Sequence, residues 1–71
     1  MHRYLIVIEK AENNFAAYSP DLPGCVTTGK TIEETKRNMQ EAINGHIECL
    51  HEFGQPIPEP QTVGTDYIEV A

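Results

Sequence analysis

A length of 71 residues provides for one domain, residues 1–71, because what remains after one core cannot build a second. A chain this short buries only roughly 60% of the surface its unfolded form exposes, so the size favours homo-oligomerisation, a dimer or higher. Apolar residues at 39% exclude a disordered chain, and eleven acidic against five basic residues, a net charge of −6, argue against direct DNA or RNA binding.

The acidic balance suits a basic partner through complementary fields, and it equally suits plain solubility. No apolar run approaches the ~20 residues of a membrane span. Met1-His2-Arg3 followed by Tyr4-Leu5-Ile6-Val7-Ile8 is too short for a signal peptide and lacks a cleavage site. The expected location is the cytoplasm, away from membranes. Cys25 and Cys49 show neither CxxC spacing nor further metal ligands nearby, so both are expected as reduced, buried apolar residues.

In chain order, Tyr4 to Ile8 reads as a first strand, apolar at nearly every position. Both of its faces therefore need cover, and one helix can supply only one. Glu9 to Asn14 is a polar turn, and Phe15 to Ser19 a second strand completing a hairpin. Pro20-Asp21-Leu22-Pro23-Gly24 breaks regular structure, since two prolines fix φ and remove two amide donors. Cys25 to Thr28 is short and β-branched, a third strand ending at Gly29-Lys30.

Thr31 opens a helix. Its hydroxyl can cap the first turn while Glu34, three residues on, reaches back to the Thr31 amide, and Glu33 and Glu34 sit well against the helix dipole. Ile32, Thr35, Met39, Ala42, Ile43, His46, Ile47, Leu50 and Phe53 recur at helical period. Gly54 stops the helix, with Pro56 beyond it. Pro56, Pro58 and Pro60 then favour an extended tether, and Asp66-Tyr67-Ile68-Glu69-Val70 alternates as a final strand. The expected class is α+β, a β-β-β-α-β sheet with one covering helix. Tyr67, Ile68 and Val70 are the candidate oligomer interface, and the tether preceding them would permit exchange between subunits.

Tyr4-Leu5-Ile6-Val7-Ile8-Glu9, the run from Phe15 to Thr27, Gly29-Lys30-Thr31-Ile32-Glu33-Glu34, and Gly54-Gln55-Pro56-Ile57-Pro58-Glu59-Pro60 together resemble the HicB family of antitoxins. The resemblance covers about residues 3 to 60, and Asp21-Leu22-Pro23-Gly24-Cys25 is its most specific piece. It implies a partial RNase H-like domain that neutralises HicA, a small basic toxin that cleaves messenger RNA, by masking the toxin's active site. Many members continue into a C-terminal DNA-binding domain. Here only Ala71 follows Val70, so operator binding by this chain is not expected.

An RNase H-like fold also raises a metal-dependent nuclease, which would gather carboxylates such as Glu9, Asp21 and Glu33 or Glu34 around divalent cations. Strand-end, turn and cap roles already account for those residue types, and their spacing gives no reason to converge. His46 on the apolar stripe has no His or Cys partner at i+4, Ser19 has no His and acid beside it, and there is no phosphate-binding glycine loop. Catalytic residues, metal and cofactor are therefore expected to be none. The partner-binding candidates are Asp21, Leu22, Pro23 and Gly24 on the stiffened turn, then Glu33 and Glu34 on the helix. A solitary regulatory oligomer without a toxin is the remaining reading.

Overall fold

A computed structural model describes residues 2–71 and gives the order β1 (Val7–Lys10), β2 (Phe15–Tyr18), β3 (Val26–Gly29) and α1 (Ile32–Glu52). The three strands form one antiparallel sheet in the order β1-β2-β3. The α+β class and single helix agree with expectation. The strand limits move. Glu9 and Lys10 belong to β1, paired with Ala16 and Phe15, and the turn shrinks to 11–14, closed by the Ala11 amide donating to the Asn14 carbonyl at 2.8 Å. Tyr4 to Ile6 runs as an extended lead-in outside the ladder, tied by the Ser19 hydroxyl donating to the Leu5 carbonyl at 2.9 Å.

Register sorts the side chains. Directly paired residues share a face, so Ile8, Ala17 and Thr27 point one way and Val7, Tyr18 and Val26 the other. The helix takes the first face and lies over β2 and β3 rather than over β1. Ala17, Leu22, Cys25 and Met39 are the buried core, with Tyr4, Ile6, Ile8, Ala42, Ile43 and Ile47 packed around it. Fully burying Leu22 or Met39 contributes about 1.5–3 kcal/mol each. That is a small core, and among the described residues no helix or strand covers the outer face of the sheet.

The helix begins as its cap dictates. The Thr31 hydroxyl accepts the Glu34 amide at 3.0 Å, while the Glu34 carboxylate reaches the Lys30 amide at 3.4 Å rather than that of Thr31. Thr35, on the expected stripe and fully buried, donates its hydroxyl to the Thr31 carbonyl at 2.7 Å. β3 approaches so closely that a Cβ on Gly29 would lie 2.7 Å from the Thr35 backbone nitrogen. The stripe weakens at its ends: Ile32 is 46% and Phe53 71% exposed. Both sit at the helix termini. Cys49 also proves exposed, whereas Cys25 is buried as expected.

The expected final strand does not form: residues 55–71 carry no regular structure. A strand needs an edge to pair with, and the chain is held elsewhere before it reaches one. The Tyr4 hydroxyl donates to the Pro58 carbonyl, and the Thr62 amide donates to the Asp21 carboxylate at 3.1 Å. Past Thr62 the segment leaves the body.

Candidate interaction surface

Two successive β-turns build the corner between β2 and β3. The Leu22 amide donates to the Ser19 carbonyl at 3.2 Å and the Cys25 amide to the Leu22 carbonyl at 3.1 Å. Pro20 and Pro23 each occupy the second position of a turn, where a φ of about −65° is wanted and no donor is required. Gly24, third in the second turn, has φ 81°, the left-handed value that a type II turn demands there. The Pro-Asp-Leu-Pro-Gly-Cys spelling thus encodes the backbone of the corner first of all.

The corner divides the candidate contact residues. Leu22 is 0% exposed and belongs to the core, which corrects the expectation that it is offered to a partner. Its apolar side chain gains more from the space between sheet and helix than from water. Asp21 is half-buried and occupied by the Thr62 amide, so it anchors the tether. Pro20, Pro23 and Gly24 remain exposed. On the helix, Glu33 is exposed, whereas Glu34 is half-buried and committed to the cap. Tyr67, Ile68 and Val70 are 94%, 84% and 88% exposed.

The electrostatics follow the same geometry. Burial raises the Tyr4 phenol above its ordinary value, and the nearby Glu59 and Asp21 carboxylates push it further the same way. The phenol therefore stays protonated and keeps donating to Pro58. Burial alone raises the Cys25 thiol. Among the described residues the one close approach of a basic and an acidic side chain is His2–Glu59 at 3.5 Å, an exposed contact of little energetic weight. The excess carboxylates, including Glu33, Glu41, Glu48 and Glu52 on exposed helix positions, consequently project an unneutralised field outward.

The sequence pointed to a second sheet face in need of cover but not to the residues that form it, and a cleft escaped it altogether. Val7, Tyr18 and Val26 make an apolar row across the outer sheet face, with Tyr18 38% and Val26 65% exposed. Only strand register reveals that row, because the three residues come from three separate runs. Between the lead-in at His2 and Tyr4, the second half of the helix and Ile57, a cleft of about 600 Å³ is lined by Tyr4, Ile43, Ile47 and Ile57, together with His2, Asn44, Glu48 and His51. It continues along Ile6 and Met39.

Among the described residues no three His, Cys, Asp or Glu side chains come together as metal ligands would. The pairing of Val7 with Tyr18 and of Lys10 with Phe15 places Glu9 and Asp21 at opposite ends of the sheet. No helix is long and apolar enough to cross a membrane among the described residues.

A family model for the HicB-like antitoxins of bacterial toxin–antitoxin systems matches residues 4–69. The chain is 40% identical over 57 residues to a UPF0150 protein of Thermoplasma acidophilum, covering 79% of this chain and 83% of that one. It is 34% identical over 68 residues to Antitoxin HicB 2 of Photorhabdus laumondii, covering 96% of this chain and 49% of the relative. The chain thus spans about half the length of its longer curated relatives; a Haemophilus phage HP1 protein is covered over 45%. A chain of the solved HicA3 and HicB3 toxin–antitoxin complex superposes with a TM-score of 0.74 at 38% identity, over 84% of this chain and 70% of that one. The hairpin, the double-turn corner and the capped helix all fall within the matched residues, and the chain belongs to the HicB-like antitoxin family.

Proposed function

We propose that this chain is an antitoxin that binds a small basic HicA-type ribonuclease toxin in the cytoplasm and masks its active site without catalysing a reaction of its own. The observation that carries the reading is the likeness, in both sequence and fold, to a chain of a HicA3–HicB3 complex. The charge supports it: a net −6 with almost no internal pairing is a field that would speed the encounter with a cationic toxin and select against acidic partners. The contact centres on the exposed corner residues Pro20, Pro23 and Gly24, held in shape by Asp21 and Leu22, while Glu33, at the other end of β3 beside the Glu34 cap, adds a second acidic contact. A corner fixed by two prolines loses little entropy on binding.

The test mixes the purified chain with a HicA-type toxin and follows both co-elution and survival of an RNA substrate. A stable complex and intact RNA are expected; separate elution with full cleavage refutes the proposal. Pro23→Lys with Glu33→Lys alters two exposed residues and should weaken the complex at least about tenfold, equivalent to about 1.4 kcal/mol, with the helical circular dichroism unchanged. Undiminished affinity in that variant moves the contact off the corner.

A further inference from the structure

We propose that the cleft between the lead-in, the second half of the helix and Ile57 receives a lysine or arginine side chain of the toxin. The aliphatic stem lies against Ile43, Ile47 and Ile57, and the charged head meets Glu48. The inference rests on the toxin reading and adds to it an anchor away from the corner.

The walls come first. Tyr4, Ile43 and Ile47 pack against the core on one side and are only half-buried, so each leaves apolar surface open to the cleft. Ile57 supplies the facing wall, and its neighbour Pro58 accepts the Tyr4 hydroxyl through its carbonyl, which pins that wall to the lead-in. The His2 ring stands 5.9 Å from the Tyr4 ring, tilted by 32°. A volume of about 600 Å³ lies within the range of clefts that hold small ligands. The cleft is therefore built before any occupant arrives, and little ordering entropy is lost on filling it.

Charge then selects the occupant. Among the described residues no lysine or arginine lines the cleft, and the nearest is Lys36, on the continuation along Ile6 and Met39. Glu48 is exposed on the helix and forms no ion pair among the described residues, while the Glu59 carboxylate stands 3.5 Å from His2 Nε2 in the lining. A purely apolar occupant would strip water from Glu48 and leave it unpaired, and an acidic one would be repelled. A lysine or arginine answers both requirements, with methylenes for the isoleucines and a cation for the carboxylate. The Tyr4 ring adds a face on which such a cation is attracted.

The cleft and the corner can serve one small partner. Residues 57 to 62 span at most about 18 Å, and at the end of that stretch the Thr62 amide donates to Asp21 of the corner at 3.1 Å.

The test is titration of a HicA-type toxin with the full chain and with variants at exposed positions. Glu48→Lys reverses the charge and Asn44→Trp fills the cleft, and each should raise Kd at least about tenfold with helical circular dichroism unchanged. Glu12→Lys makes the same charge change in the turn at the far end of the sheet and should raise Kd less than about threefold. In a double-mutant cycle, Glu48→Gln should couple at least about threefold to one lysine or arginine of the toxin replaced by alanine. Cleft variants that bind no worse than Glu12→Lys, or a Glu48 that couples to no toxin cation, would overturn the inference and leave the toxin reading standing. A wild-type chain that fails to bind the toxin would remove that reading and this inference together.

Discussion

At the residue scale, the fold hangs on positions where size leaves no choice. A methyl group on Gly29 would meet the Thr35 backbone nitrogen at 2.7 Å and its Cα at 2.9 Å, so β3 and the helix start would have to separate. Overpacking of this kind costs about 1–3 kcal/mol, and Gly29→Ala should lower the thermal midpoint accordingly. Leu22→Ala should cost about 2–5 kcal/mol, a large part of what so small a domain possesses; urea unfolding of both variants checks the order. The two cysteines offer a reading of burial. Cys25 is buried with its thiol pushed up, and Cys49 is exposed. A thiol reagent should therefore modify one cysteine quickly in the native protein and the second only on unfolding. Rapid modification of both would contradict the core described here.

At the element scale, the tether's attachment is the pH-sensitive part. The folded chain holds the Tyr4 proton more tightly than the unfolded chain, by burial and then by the Glu59 and Asp21 carboxylates. Stability from this group is therefore present below the ordinary value of 10.0 and lost as pH rises through the higher folded value. Alkaline titration should release the Pro58 contact, seen as faster proteolysis of residues 55–71. Tyr4→Phe should give that fast cleavage already at neutral pH and remove its pH dependence. Helix and strands were legible in the sequence because their signals are local: the Thr31 cap, the helical stripe, the Pro-Gly turn. The fourth strand had an equally good local pattern and failed, because alternation says what a strand would bury and nothing about where an edge is free. Leu22 misled for a related reason. Its flanking prolines mark a surface corner, but the direction of its side chain depends on how two turns join.

At the scale of the whole molecule, the chain carries more surface than its core can balance. Its apolar outer row, its cleft and its exposed C-terminal segment lie on one side of the account, its unpaired carboxylates on the other. The carboxylates are the feature that suits the cationic toxin proposed above. The acidic total was readable from composition, whereas the division of labour between surfaces required the register of β1, β2 and β3. Membership of the HicB-like antitoxins joins these properties to a biological task. The most direct measurement is RNA cleavage by a HicA-type toxin as this chain is titrated into it. Cleavage should decline linearly and stop near stoichiometric addition, with the chain itself leaving RNA untouched. Undiminished cleavage at a large excess of the chain would contradict it.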